Sequence, residues 1–319
     1  MKRLTLVVVT TLTLVLAACG TESGPSSPGS PPDGSSGPGG PPQDTVGPPT
    51  APQVIVDPEA EVVGLGILMH AEESGPVELC LGAVAESYPP QCGGPVLEGE
   101  FSWDEVEAET AGGVTWTNEG YYVTGHYDPS GSPDGTITLT RPVRADPPEG
   151  YPQPEAVDDS FPQLCEDPTA DVRDSDPVAD TSGPDGVEQE NALQQLAQGT
   201  DGYAALWGSG GGVMNVVVTT DAEEARRQFR EVYSGPLCVV QRDVPTEADA
   251  RAAQDAVSAE FQELRLLSAG YAAVSGVLDV QVLLADETTV DRIHELVAPW
   301  LSPDEIVIHS ALQPLEPAD

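Results

Sequence analysis

Lysine is all but missing from this chain: Lys2 is the only one, and the 12 lysines and arginines face 53 aspartates and glutamates, for a net charge of −41. A surface of that sign repels phosphate backbones and anionic headgroups, so binding to nucleic acid and electrostatic attachment to a bilayer are both excluded. With no lysine beyond position 2 there is no phosphate-binding loop. The run Gly208-Ser209-Gly210-Gly211-Gly212 therefore reads as a loop between two strands. Histidine is scarce too, at four residues (His70, His126, His294 and His309), none of them in an H-E-x-x-H or comparable zinc spacing. There is no C-x-x-C pair and no G-x-S-x-G nucleophile elbow. A Ser-His-Asp triad assembled through space is recognised by geometry alone and stays open at this level. Acidic pairs are too numerous to discriminate. Asp104, Glu105 and Glu107 beside Trp103 have the residue types of a glycosidase site, but read better as a charged turn. Neither enzymatic activity nor a cofactor or metal is expected.

What is present begins with an address. Lys2 and Arg3 precede an apolar stretch from Leu4 to Ala18, shorter than the roughly 20 residues a membrane span needs. A positive start, an apolar middle and small residues at the end describe a signal peptide. Leu16-Ala17-Ala18-Cys19-Gly20 resembles the lipobox of bacterial lipoproteins. That resemblance implies cleavage between Ala18 and Cys19 and diacylation of Cys19, and two acyl chains suffice for stable anchoring. Residues 1–18 are thus expected to be removed, leaving ten arginines against 53 acidic residues, a net −43. Residues 19–52 form the lipidated cysteine and a Pro/Gly/Ser linker, which reaches roughly 30 Å as a coil and about 100 Å if stiffened by proline.

Of five cysteines, Cys19 is the odd one. Cys80, Cys92, Cys165 and Cys238 remain, an even set that in an exported chain reads as two disulfides. Three connectivities are possible. Pairing Cys80 with Cys92 and Cys165 with Cys238 keeps each bridge within one candidate domain.

The expected fold is α+β, a small all-β domain (barrel or sandwich) at 53–145 followed, after a linker at 146–160, by a two-layer α/β sandwich at 161–311 and a tail at 312–319. In the first part, 61–69, 77–81, 114–117, 121–125 and 136–140 read as strands. Asn118-Glu119-Gly120 makes a hairpin turn between two of them, and 128–135 loops between two others. Asp171 to Glu190 reads as an exposed acidic loop. Its Asp174, Asp176, Asp180 and Asp185 invite a calcium reading, yet Val178 and Ala179 break the EF-hand pattern.

Beyond Tyr203, strands at 203–207, 213–219, 236–240, 277–284 and 306–308 alternate with three helices. Thr220 with Glu223, Thr246 with Asp249, and Asp286 cap these helices. Ala250, Ala253, Val257, Phe261 and Leu264 line the buried face of the second, and Val290, Ile293 and Val297 that of the third. No repeat with a period of 20–50 residues is evident.

The segments Leu79 to Gly82, Glu86-Ser87-Tyr88-Pro89-Pro90-Gln91-Cys92, Val123 to Asp128 and Ser234 to Val240 resemble exported proteins of high-GC Gram-positive bacteria over about residues 60–310. The aromatic strand at Tyr203 to Trp207, the Val-rich strand ending at Thr219 and the strand at 277–284 are similar to prosegments of the α-lytic and streptogrisin proteases. In those proteins the module is a folding chaperone for a protease that follows it. This chain runs only to Asp319, so a shared fold is all that is expected. The reading that results is a membrane-anchored, extracytoplasmic lipoprotein without enzymatic activity, contacting an envelope protein or component. Trp103, Trp116, Tyr121 and Tyr122 are its candidate contact surface. A solute- or metal-binding lipoprotein serving a transporter is the alternative, and an envelope hydrolase a second.

Overall fold

The computed structural model describes residues 54–71, 75–152, 160–172 and 183–315. Cys19, the linker before residue 54 and the aspartates at 174, 176 and 180 lie outside the described residues. Among the described residues no helix is long and apolar enough to cross a membrane. The architecture is mixed α+β, an all-β part followed by an α/β part.

Seven strands make the first part: β1 (Glu61–His70), β2 (Glu78–Cys80), β3 (Val96–Glu98), β4 (Ala108–Ala111), β5 (Val114–Thr117), β6 (Tyr121–Asp128) and β7 (Thr136–Leu139). Five of them close a ring. β1 pairs antiparallel with β2 on one edge and with β6 on the other, β2 pairs with β3, β3 runs parallel to β7, and β7 returns to β6. This is a small Greek-key barrel, in which β2 covers only Ile67–Met69 on its edge of β1. Side chains alternate along β1, so Val62 and Leu68 enter the core with Leu79, Val123, Tyr127 and Ile137. Met69 and Ile67 point outward and are covered by Trp116, Cys80, Cys92, Ala111 and Val114.

The expected hairpin at Asn118-Glu119-Gly120 is not a reversal. Both β5 and β6 lie antiparallel to β1, β5 opposite Met69–His70 and β6 opposite Glu61–Gly66, so the chain runs on past the interruption. The reversal sits one strand earlier, between Ala111 and Val114. Gly112 and Gly113 there have φ of 61° and 87°, as a two-residue primed turn requires.

The α/β part contains α1 (Pro184–Gln198), β8 (Tyr203–Ser209), β9 (Val213–Val218), α2 (Ala222–Phe229), β10 (Leu237–Gln241), α3 (Glu247–Ala259), β11 (Leu266–Ala272), β12 (Val277–Val282), α4 (Glu287–Val297), β13 (Ile306–Ser310) and β14 (Gln313–Pro314). Two three-stranded sheets result, ordered β10-β9-β8 and β11-β12-β13. They have one plan. Each central strand pairs antiparallel with the strand before it and parallel with the strand after the next helix. The chain thus carries an αββαβ unit twice. Pro184 to Glu247 and Tyr203 to Leu266 are both steps of 63 residues, longer than the roughly 20–50-residue periods of common repeat architectures. Even the bulge recurs, between Tyr203 and Ala205 and between Leu266 and Ser268.

Several local expectations change. Residues 184–190, read as acidic loop, are the start of α1, which has Pro184 in its first turn and buries only Leu193 and Ala197 among its apolar residues. The cap of α2 is Asp221, whose carboxylate accepts from the Glu223 and Glu224 N–H groups, and not Thr220. Phe261 is 53% exposed because α3 ends at Ala259 and the chain turns away. Thr246 and Asp286 do cap α3 and α4. Residues 312–315 are not a tail: Leu312 is fully buried with Leu283 in the barrel core, and β14 pairs with Val62 and Val63 of β1.

In the first αββαβ unit, α1 and α2 cover one face of the sheet through Leu193, Phe229 and Tyr233. The strap at 160–168 lies over the other. Leu164 N–H donates to Asn215 Oδ1 (2.8 Å), Trp207 Nε1 donates to Pro162 O (2.9 Å), and a disulfide joins Cys165 to Cys238.

Candidate functional site

Catalytic constellations come first. Among the described residues no group of three or more His, Cys, Asp or Glu side chains converges as a metal site. His309 Nε2 lies 3.0 Å from Asp279 Oδ2, and the Asp279 hydrogen bond raises the imidazole pKa. Ser268 and His309 both stand opposite Gln281, on either side of β12, which separates them by two strand spacings, about 10 Å. His70 Nε2 lies 2.8 Å from Gly75 O, a loop contact. Asp104 and Glu105 sit on a 3-10 turn capped by Ser102, with their carboxylates in solvent. Two hollows follow the outer side of α1, along Val187, Asn191 and Ala192 and along Gln189 and Val232, and both open widely to solvent.

The four aromatic candidates do not form one surface. Tyr121 is buried in the barrel core, where its hydroxyl accepts from the Glu107 N–H at 2.8 Å. Trp103 is half-buried, edge-on to Phe101 at 5.1 Å and near the His70 ring at 6.3 Å. Tyr122, on the opposite face of β6 from Tyr121, meets Tyr151 edge-on at 5.0 Å. Trp116 is buried, but it supports a residue the sequence reading passed over. Tyr88 stands edge-on against its ring at 5.6 Å and is 73% exposed.

Tyr88 is held from several directions. Its loop is closed at the base by the Cys80–Cys92 disulfide and braced by the Ala85–Gln91 bridge. Within it, Ser87 Oγ donates to Pro89 O at 2.8 Å and Gln91 Nε2 donates to Ser87 Oγ at 3.2 Å. The Tyr88 hydroxyl donates to Glu109 Oε1 at 2.6 Å, Asn118 Nδ2 donates to the other oxygen at 3.4 Å, and Trp116 Nε1 donates to Asn118 Oδ1 at 3.0 Å. The hydrogen bond to Glu109 raises the Tyr88 phenol pKa, so it stays a donor across the physiological range. The result is an exposed aromatic ring, with Val84 also exposed on its loop, fixed before any contact is made. The signal in the sequence was Tyr-Pro-Pro inside a loop bounded by two cysteines.

Arginine has a consistent role in this structure. Arg141 pairs with Glu61, Arg227 with Glu224, Arg251 with Glu247 and Arg292 with Glu260. Arg242 and Arg265 donate to carbonyls of other loops. These cations are engaged internally, so the outward charge is carboxylate. The tightest cluster is Asp171 with Arg226 (2.8 Å) and Arg230 (2.8 Å), where Arg230 also donates to Pro168 O and Gly235 O.

Burial raises the Asp171 carboxyl, but hydrogen bonds from Arg230 and Arg226, and then their charges, outweigh it. The carboxyl is held well below the ordinary carboxylate range. Its stabilisation is therefore complete above the unfolded aspartate pKa of about 3.9 and fades as pH falls towards the lower folded value. Asp171→Ala is expected to lower the unfolding free energy at pH 7 by about 2 kcal/mol, the cost of two part-buried, unpaired guanidinium groups reduced by solvent screening. Urea melts at pH 7 and pH 3 check this: the difference between variant and parent should shrink at the lower pH.

Comparison with protein-family models, with curated proteins and with solved structures finds no match to this chain.

Proposed function

We propose that the chain is an extracytoplasmic contact module without enzymatic activity, anchored to the membrane by lipid on Cys19, that binds another protein of the cell envelope through the Tyr88 loop. The two disulfides fit an oxidising, extracytoplasmic compartment. The observation that carries the reading is Tyr88 itself, largely exposed yet braced by a disulfide, a tryptophan and a carboxylate. A rigid aromatic side chain loses little entropy on binding, which favours it as an interface anchor.

The test is crosslinking in intact cells, with a photoreactive phenylalanine at position 88 or, for comparison, at the exposed Val187 of α1. One dominant partner captured from position 88 and not from 187 is the expected result. Equal capture from both positions, or none from 88, removes the reading. Tyr88→Ala should change stability by less than about 1 kcal/mol, as exposed positions do, so loss of capture would report contact and not unfolding. Independently, Cys19→Ser is expected to abolish labelling by an alkyne-bearing fatty acid and to release the protein from membranes.

A further inference from the structure

The two αββαβ units align position by position through their strand registers. Asn215 corresponds to Asp279, since each is the third residue of its central strand. Trp207, opposite Asn215, corresponds to Gly270, and Cys238 to Val307. In the first unit the helix-free face of the sheet is sealed. Ala205, Trp207, Asn215, Val217 and Cys238 are all buried, beneath Leu164 of the 160–168 strap together with Val244, Ala273 and Val274. Asn215 accepts the strap's Leu164 N–H, and Trp207 donates to its Pro162 carbonyl.

Among the described residues, the same face of the second unit has no such strap over it. Ser268 and His309 are exposed, Gly270, Asp279, Gln281 and Val307 are half-buried, and the Asp279 side chain is 47% accessible. A Cβ built on Gly270 meets nothing within 4 Å, so the place Trp207 fills in the first unit is empty space in the second. The face is therefore a strap-binding surface with the strap missing, and its backbone-binding amide has been replaced by a carboxylate.

We propose that this face of the second unit docks an extended, basic peptide segment of a partner protein. An extended chain lying as the strap lies would direct a backbone N–H at Asp279, as Leu164 directs one at Asn215, and its side chains would enter the space above Gly270. Asp279 Oδ2 meets His309 Nε2 at 3.0 Å, so the incoming N–H would take Oδ1, and the carboxylate together with the net charge of −41 selects cationic side chains. The chain's own segment 20–53 fits poorly, because it contains Glu22, Asp33 and Asp44 and no lysine or arginine. The inference concerns a different surface from the Tyr88 loop and stands independently of it.

The experiment pans a phage-displayed library of random nine-residue peptides against the immobilised full chain. Enriched peptides should contain lysine or arginine, and their binding should weaken with added salt. Gly270→Trp, which fills the face as the first unit does, and Asp279→Asn should each reduce binding by about tenfold, the fold-change of one charged hydrogen bond. Both positions are accessible, and unchanged thermal melts would show that the variants fold. Tyr88→Ala should bind as the parent does. Any of four results would overturn the proposal: no enrichment, enrichment of neutral or acidic peptides resembling residues 20–53, binding indifferent to both face variants, or self-association that is lost with them.

Discussion

Replacing Cys165 and Cys238 together by serine is expected to lower the unfolding free energy by about 4 kcal/mol, on the loop-entropy estimate for a long closed loop. The bridge spans 73 residues and ties the strap to β10. Two further effects act in the same direction. Cys238 is fully buried beside Asn215, so a serine there adds a hydroxyl to a sealed face. Loss of the tether also weakens the hydrogen bonds that Leu164 N–H donates to Asn215 Oδ1 and Trp207 Nε1 donates to Pro162 O. Domain stabilities are typically 5–15 kcal/mol, so the variant should lose a large share of its margin. Guanidinium melts of parent and variant, read by tryptophan fluorescence, would measure it, since Trp207 reports directly on the strap. The Cys80–Cys92 bridge closes a much shorter loop, with a separation of 12 residues, so the double variant Cys80→Ser, Cys92→Ser should cost less, about 3 kcal/mol. A larger loss for the short bridge than for the long one would contradict this account.

Leu312→Ala is expected to cost about 3 kcal/mol, in the range for a leucine deleted from a well-packed core. Leu312 is fully buried, its methyl group packs over Gly64 of β1, and its N–H donates to Leu283 O at 3.0 Å. Ending the chain at Ala311 should cost more still, because it also removes β14, which pairs with Val62 and Val63 on the edge of β1 away from β6. Urea melts of the substitution and the truncation are the check. A truncated protein as stable as the parent would show that β14 and Leu312 do not contribute to the barrel.

The expectation of a tail at 312–319 was reasonable from sequence. Ala311-Leu312-Gln313-Pro314-Leu315 has neither a period nor enough length to read as a strand, and nothing local reveals that β1, some 250 positions earlier, offers it an open edge. The same limitation explains Asn118-Glu119-Gly120. Its residues are good turn formers, yet what decides between a reversal and an interruption is whether β1 pairs with both flanking strands, as it does here. The true reversal at Gly112-Gly113 carried a local signal, two glycines between strand-like residues, and was legible in principle. So was Tyr88, in a cysteine-bounded loop. The duplication was harder to see, because matching core positions such as Met214 and Leu278 hold only the class of residue, while the exposed and strap-facing positions have diverged.

What the sequence determined by itself is the set of properties written in short stretches. Alternation along Glu61 to Met69 specified a strand with an inner and an outer side. Thr246 and Asp286 fixed helix starts through hydrogen bonds three residues long. Four cysteines divided between two regions pointed to two bridges, one in each region. The tertiary structure alone decided which aromatic residues are core and which are surface, because burial of Trp116 depends on a disulfide loop and a hairpin folding over it. It alone showed one sheet face sealed by a strap and its counterpart bare. Short-range rules concern neighbours in sequence, whereas accessibility is set by segments that meet only after the chain has folded.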